Sequence, residues 1–518
     1  MRRLMLPALL VLWLPATPAP AQQILDVYGP RLAVATDGSY ALAYVARVQR
    51  TTTADNVAVQ RYAADGTPLG PLHLFEGESC SSLSLWSSDF MYHPEPAFLS
   101  DGTLLVAMTH EGWLSLVGTD DVYTSETTLG AVDPSGQLID LNDSGNCVQY
   151  KLIFPGGGRQ TRPRIAIGPD DAILITHQGF FQDADFNNVA IRILDTGGNE
   201  IVEEGIPHDD PLSRAAFHQF PDIAASSAIL LAVWHECALL DNRGNTNDCD
   251  IGAQFFDPQT LAFVGGNLKV NDAGVNQPGS YSLWPSAAMN ASGQSVVVWA
   301  DTRTGFQGDV FAQRFDAGGR RLGTNLQVST GHGEIVSRPE VALLPDGRFM
   351  VVWGDSSAVG FRAWSRLFSA AGEPLGAPVL LAEGDAGMPA VAAGPSGFLT
   401  AWVELEGPGR TIRTGAPGLP IRNEPHDEPL PQLPTLEAVY PHPFTERAML
   451  QYTLPRAGPV QLRVYDLLGR EVRRLVDAVQ EPGRHTVQLP AEGLPPGTYL
   501  VRLQQAGHTA LRIILRAP

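Results

Sequence analysis

Seven copies of one pattern run through residues 22–422 and constrain what this chain can fold into more than any other feature. The clearest copy is RPEVALLPDGRFMVVWGD at 338–355. Beside it stand WPSAAMNASGQSVVVWAD (284–301), FPDIAASSAILLAVWHE (220–236) and MPAVAAGPSGFLTAWVE (388–404), with weaker copies beginning at Pro30, Pro94 and Arg162. Aligned on one alanine they start at Ala33, Ala97, Ala166, Ala224, Ala288, Ala342 and Ala392, in steps of 64, 69, 58, 64, 54 and 50 residues. In each copy an apolar run turns at a motif such as Asp-Gly or Ser-Gly, and a second run ends in an aromatic. After a variable loop comes a third run such as DVFAQRFD (309–316), then a tight turn, AGGRRLG (317–323), and a short fourth run. Four strands per unit at this period predict a β-propeller blade. A blade cannot bury both its faces alone, and stacking around a ring does so while limiting exposed edges. Seven copies give seven blades; the degraded first and last copies leave six or eight open.

The first-to-second and third-to-fourth connections are short in nearly every copy. Length variation lies in the second-to-third loops and in the links between blades. In a four-stranded antiparallel blade those two loop types emerge on one side, so one face is trimmed and the other elaborated. Function concentrates on elaborated loops held by a rigid scaffold. Two residues past the strand-ending aromatic, four consecutive copies carry an acid, Glu236, Asp301, Asp355 and Glu404, and the second copy has His110-Glu111 in the corresponding place. Around the mouth of a central channel such carboxylates would offer hard oxygen ligands to Ca²⁺ or another cation, or hold a cationic ligand. A local role stands ahead of that one. Asp301, Arg303 and Asp309, and likewise Asp241, Arg243 and Asp250, repeat an arrangement that fits hairpins pinned by ion pairs. Aromatics crowd the same loops, among them Trp86, Tyr92, Trp113, Phe220 and Trp284. A ring covers the apolar face of a pyranose while acids take its hydroxyls, so sugar binding is the functional expectation; rings that hold long loops down are the structural one.

Four cysteines suit two disulfides in an oxidising compartment. Cys80 and Cys147 lie in successive inter-blade links and Cys237 and Cys249 flank one second-to-third loop, so the expected bonds are Cys80–Cys147 and Cys237–Cys249. Neither a Gly-x-Ser-x-Gly nucleophile elbow nor a His-Glu-x-x-His zinc helix occurs in the sequence, and no catalytic residue is assigned.

The compartment follows from the first residues. Arg2 and Arg3, an apolar core from Leu4 to Leu14, and Ala19-Pro20-Ala21 form a signal peptide over 1–21, with a mature chain expected to begin at Gln22. No other stretch approaches the roughly 20 apolar residues of a membrane span. Net charge is −20, with about +3 from Pro434 onward and +2 in the signal peptide, so the body between them carries about −25. Such a body repels nucleic-acid phosphates, and nucleic acid is not expected as a partner.

Residues 423–434, NEPHDEPLPQLP, form a stiff Pro-rich spacer. Beyond it, over 435–518, alternating runs such as Leu450, Tyr452, Leu454 and Tyr499, Val501, Leu503 make about six short strands, the pattern of a small Ig-like β-sandwich. Val460, Leu462 and Val464 alternate into a Leu-Leu-Gly turn, from which Arg470 to Val476 runs back as a hairpin. The motifs YPHPF (Tyr440, Pro441, Pro443, Phe444), VYDLLGREVRRLV (with Tyr465, Asp466 and Gly469), GRHTVQL and GLPPGTYLVRL (with Gly497 and Tyr499) follow in order. Together they resemble the type A C-terminal sorting domain of the Bacteroidetes type IX secretion system, related to flagellar hook-assembly Ig-like domains. His442 stands where that family usually has Asn, and Arg512 and Arg516 where it has Lys. The resemblance implies passage across the inner membrane by the signal peptide and across the outer membrane by this domain. It further implies handling by outer-membrane secretion machinery and removal by a surface sortase, with release or attachment to the cell surface.

The expected molecule is an all-β exported protein, a seven-bladed propeller followed by an address module. Its propeller is expected to bind an extracellular polysaccharide or protein without catalysis. A glycoside hydrolase or lyase, and a structural surface-layer part, are the alternatives. The intact mass of the protein recovered outside its host cells is expected to match a chain from Gln22 to near Pro434; a mass still reaching Pro518 would show that the module stays on the working protein.

Overall fold

A computed structural model describes residues 23–49, 53–75, 86–114, 122–139, 141, 151–152, 160–180, 187–205, 216–239, 246–272, 281–305, 307–329, 333–357, 360–384, 387–406, 409–415, 434–440, 444, 447–465, 470–480, 483–495, 497–506 and 508–516. Up to residue 415 they form seven antiparallel sheets, each strand paired with the next in sequence; six sheets have four strands and the last has three. The seven first strands are Gln23–Val34, Trp86–Phe98, Gln160–Ile167, Ala216–Ala225, Ser282–Met289, Glu340–Leu343 and Gly387–Gly394. Each lies against the first strands of the sheets before and after it, and the seventh returns to the first. The ring is therefore closed, with seven blades, and its innermost strands surround the axis.

Burial peaks one strand out from the axis: in blade five the second strand, Ser295–Asp301, is buried throughout, the first, Ser282–Met289, only in part, and the fourth, Arg321–Gln327, has no buried residue. The apolar run SVVVWAD is continuous because both faces of that strand are covered. Successive side chains point to opposite faces, so Val296 and Val298 pack toward blade six with Val351 and Trp353, while Val297 and Trp299 pack toward blade four with Val233 and Phe255. The strand-ending Trp234, Trp299 and Trp353 are fully buried. Room for Trp234 is made by Gly252, where an added Cβ would lie 2.6 Å from the indole. At the trimmed face four of the seven first-to-second turns, closed at Gly38, Gly102, Gly293 and Gly347, share one geometry. In the first, Gly38 takes φ +86° and Asp37 accepts a hydrogen bond from the Ser39 N–H at 2.8 Å, as hairpins of this length require.

Cys237 and Cys249 are opposite one another in the second and third strands of blade four and are bonded, with Cα atoms 4.1 Å apart. Cys80 and Cys147 lie outside the described residues. From Thr435 onward seven strands, one more than the patterning indicated, form an Ig-like sandwich. Thr435–Tyr440, Arg447–Leu454 and Gly483–Pro490 make one sheet, and Glu471–Gln480, Gly458–Tyr465, Gly497–Gln505 and His508–Arg516 the other. Its core gathers Phe444, Leu450, Tyr452, Leu462, Val501 and Ile514, and the hairpin read from the sequence pairs Tyr465 with Glu471. Among the described residues no helix is long and apolar enough to cross a membrane.

Substituting Gly252→Ala should cost about 2 kcal/mol, the usual penalty for overfilling a packed core, and lower the urea midpoint of the propeller transition followed by circular dichroism. An unchanged midpoint would show that Trp234 can move aside.

Candidate functional site

Six of the seven innermost strands enter the ring through the same local device. A residue with left-handed φ precedes a proline: Gly29 (60°), His93 (49°), Arg162 (55°), Phe220 (52°), Trp284 (58°) and Met388 (51°) stand before Pro30, Pro94, Pro163, Pro221, Pro285 and Pro389. Proline has no N–H to give to the ladder, so pairing with the second strand breaks there and resumes beyond it. The register shifts between Tyr28 and Arg31, Tyr92 and Glu95, Gln219 and Asp222, Leu283 and Ser286, and Gly387 and Ala390. Such bulges re-aim side chains. Holding a non-glycine residue at this φ costs on the order of 1–3 kcal/mol and is seen chiefly where the surroundings enforce it, often at functional sites.

The residue after each proline sits on the axis. In blade order these are Arg31, Glu95, Arg164, Asp222, Ser286, Glu340 and Ala390. Arg31 reaches Glu95 at 2.8 Å and Glu340 at 2.7 Å; Arg164 reaches Glu95 at 2.7 Å, Glu340 at 3.6 Å and Asp222 at 3.7 Å. Arg338, which precedes Pro339 in blade six, reaches Asp222 at 3.2 Å and donates to the Pro221 carbonyl at 3.1 Å. Asp222 also accepts from the backbone N–H groups of Ala287 and Ile223. The cluster joins five blades through groups that are mostly buried. Burial opposes the charge on Arg164, but Glu95, Asp222 and Glu340 outweigh it and raise its pKa. Burial likewise opposes ionisation of Asp222, yet Arg164, Arg338 and the two N–H donors hold its pKa below the usual carboxylate value. Glu340 is pushed up, by burial first and with the like charge of Glu95 among the contributors. Arg338 is lowered to about 9, by burial and by the charge of Arg164.

The left-handed residues form a second tier, nearer the start of the innermost strands and so toward the elaborated face. The Arg162 guanidinium lies 4.2 Å from the Phe220 ring centre; Phe220 lies 4.9 Å from the His235 ring and 6.4 Å from that of Trp284. The Trp284 N–H meets His235 Nδ1 at 3.5 Å, and His235 Nε2 meets Gln219 Oε1 at 3.2 Å, which fits a neutral ring protonated on Nε2. His235 is held neutral, its pKa pushed to about 3 by burial and by Arg338 and Arg162. His93 keeps solvent-accessible surface although atoms of the mouth enclose it, and enclosure with the charges of Arg162, Arg31 and Arg164 lowers its pKa. Across from this aromatic wall, Met388 is exposed, and a Cβ on Gly29 would meet nothing within 4 Å. The mouth thus has a wall of rings and an arginine, an open side, and an ionic floor.

Of the residues singled out from the sequence, Phe220 and Trp284 are in this mouth. Asp301, Asp355, Glu236 and Glu404 are on second strands, one strand further from the axis. Asp301 is buried and accepts from Arg303, from Trp299 Nε1 at 2.9 Å and from the Ser282 hydroxyl at 3.0 Å. Asp355, fully buried, takes a bidentate contact from Arg362 at 2.8 Å and one from Trp364 Nε1 at 3.1 Å. Glu404 pairs with Arg413 at 3.1 Å, and Glu236 stands 3.7 Å from His218; both are part-exposed. Local pinning therefore occupies Asp301 and Asp355. Trp86 and Trp113 lie on described strands, paired with Leu114 and Ser87, but their side chains are outside the description. Among the described residues no three His, Cys, Asp or Glu side chains gather to hold a metal ion, so no Ca²⁺ ligand set is identified there. The axial arginines and carboxylates escaped the sequence reading. The signal was present, since each aligned alanine is preceded at three residues by proline and at two by the axial residue.

In the C-terminal module, Phe444 and Tyr499 are core residues, and the Tyr499 hydroxyl donates to the Pro495 carbonyl at 2.6 Å. Tyr465 lies under the Arg502 guanidinium, 4.5 Å from its ring centre, and Gly497 opens a strand. Tyr440 ends the first strand with its side chain undescribed; Pro441, Pro443, Asp466 and Gly469 lie outside the described residues.

Residues 438–516 match the family model of the Secretion system C-terminal sorting domain. The module is a type IX sorting domain, and the protein is cargo exported to the cell surface or the extracellular space. No curated protein matches the chain. Solved structures similar to it include an endo-arabinase from Bacteroides thetaiotaomicron VPI-5482 (14% identity, 49% of this chain and 92% of that one, TM-score 0.30). Another is an alpha-L-arabinanase from Penicillium chrysogenum (11%, 67% and 94%, 0.38). A sialidase from Trypanosoma rangeli is a third (10%, 95% and 85%, 0.37). At such scores none of their activities transfers to this chain.

Asp222→Asn should cost about 3 kcal/mol, as expected when one partner of a buried ion pair is removed. Asp222 has a folded pKa below its unfolded value of about 3.9. Its contribution is therefore full above that value and lost as pH falls through the folded one. Urea midpoints should show the gap between wild type and Asp222→Asn closing below about pH 4; a gap independent of pH would remove the ion pair as its cause.

Proposed function

We propose that this exported propeller binds an extracellular polysaccharide at its axial mouth and does not turn it over. The observation that carries this is the pairing of Glu95, Asp222 and Glu340 with Arg31, Arg164 and Arg338. Two-carboxylate hydrolysis needs one acid free to donate a proton and one free to attack or to activate water; arginine partners hold all three of these in ion pairs. Above them, Phe220 and Trp284 offer ring faces to a pyranose, and His93 and Gln219 offer hydrogen-bonding groups to its hydroxyls. Glu236 and Glu404 belong to the proposed outer rim with Trp86 and Trp113. Asp301 and Asp355 would act indirectly, by fixing the loops that carry the rim. An extracellular protein remains the other ligand class of this reading, and a hydrolase or lyase its rival.

The full chain should be retained saturably on immobilised polysaccharide without releasing reducing ends or unsaturated products. Trp284→Ala should weaken retention by about tenfold, the loss of one stacked ring. Product release abolished by Glu236→Gln would instead establish the enzyme.

A further inference from the structure

We infer that the ligand at the axial mouth is a pyranose bearing an anionic group, which Arg162 takes; this rests on the binding reading above and names its ligand class. Four guanidinium groups but only three carboxylates of the axial network converge at the mouth. Arg31, Arg164 and Arg338 each have a carboxylate within 3.2 Å. Among the described residues Arg162 has none within ion-pair distance and makes no hydrogen bond through its guanidinium; Glu111 acts on it only through its field. Arg162 is nevertheless a group the fold places with care. Its backbone is left-handed, its N–H donates to the Thr109 hydroxyl at 3.2 Å, and its guanidinium lies over Phe220. Stacking fixes the plane of the guanidinium and leaves its edge N–H groups for an oxyanion with two oxygens to offer, the bidentate geometry in which arginine binds best. Burial works against its charge, and an anion arriving there would relieve that cost.

The neighbouring groups do not compete for this role. Burial first, and then nearby arginine charges, lower the pKa of His93 and of His235, so neither adds a further cation. Ser286 and Ala390 complete the ring after the prolines without charge. The chain as a whole is strongly acidic, with a net charge of −20. A polyanion is therefore repelled by most of this surface, and retention of one would report a local positive site rather than general ion exchange. Beside Arg162, Phe220 and Trp284 can cover the sugar ring while the anionic substituent, a uronate carboxylate or a sulfate ester, meets the guanidinium.

The test is retention of the full chain on immobilised polygalacturonate, carrageenan and dextran at about 0.15 M salt, where the screening length is about 8 Å. Binding to polygalacturonate, to carrageenan or to both, well above dextran, is expected, and the gel preferred identifies carboxylate or sulfate as the group. Arg162→Gln should lose about tenfold of that retention, as one charge-assisted contact is removed. Arg162→Lys, which keeps the charge without the fork, should fall between the two. Near-UV circular dichroism of both variants should match wild type, because Arg162 supports no ion pair of the core. Equal retention on dextran that Trp284→Ala abolishes would overturn the anionic ligand while leaving the binding site standing. Wild-type retention by Arg162→Gln would overturn it too. No retention on any gel would sink the polysaccharide-binding reading itself.

Discussion

Seven strands must meet around one axis, and the residues after their prolines decide whether they can. Arg31, Glu95, Arg164, Asp222 and Glu340 come from five blades, and Arg338 reaches in from the turn before Pro339. None of these charges would be tolerated alone in so enclosed a place; a buried charge is supportable only when paired and hydrogen-bonded. The blades thus supply one another's partners, and a network of this kind favours one arrangement of neighbours over any slipped one. The aliphatic and tryptophan side chains of the second strands pack blade against blade, but they repeat from blade to blade. The axial residues do not repeat in this way, running Arg, Glu, Arg, Asp, Ser, Glu, Ala around the ring.

The same bulge that places the axial residue also sets the mouth. Because proline interrupts pairing, the residue before it is released from the ladder and turned into the left-handed region. Glycine accepts this easily, whereas His93, Arg162, Phe220, Trp284 and Met388 do so under constraint. Structural floor and functional wall are therefore adjacent residues of one motif. Blade six is the exception, where Arg338 has no such φ and joins the floor. In the C-terminal module an alternating core, closed by Phe444 and Tyr499, makes an independent sandwich whose role is export.

Much of the architecture was legible because periodicity is a local property. The repeat of alanine, Asp-Gly turn and terminal tryptophan reports the blade, and Cys237 and Cys249 report their bond because they flank one short hairpin. The module's hairpin, from Val460 to Val476, was legible for the same reason. Less visible was the difference between Asp355 and Glu404. They occupy equivalent places in the repeat, yet one is fully buried under Arg362 and the other only part-buried beside Arg413. Burial depends on what the neighbouring blade brings, and no spacing within a copy encodes that.

By itself the sequence determined an all-β ring of repeated blades, a trimmed and an elaborated face, a staple in blade four and an address at the end. Each follows from side-chain alternation, turn chemistry or a contiguous motif. Only the tertiary structure decided that Glu95 meets Arg31 and Arg164, residues 64 and 69 positions away, that Arg162 lies over Phe220, and that Trp284 shares its wall with His235. The physical reason is ring closure, which brings the equivalent residue of every copy to one axis and makes partners of side chains that the chain itself keeps far apart.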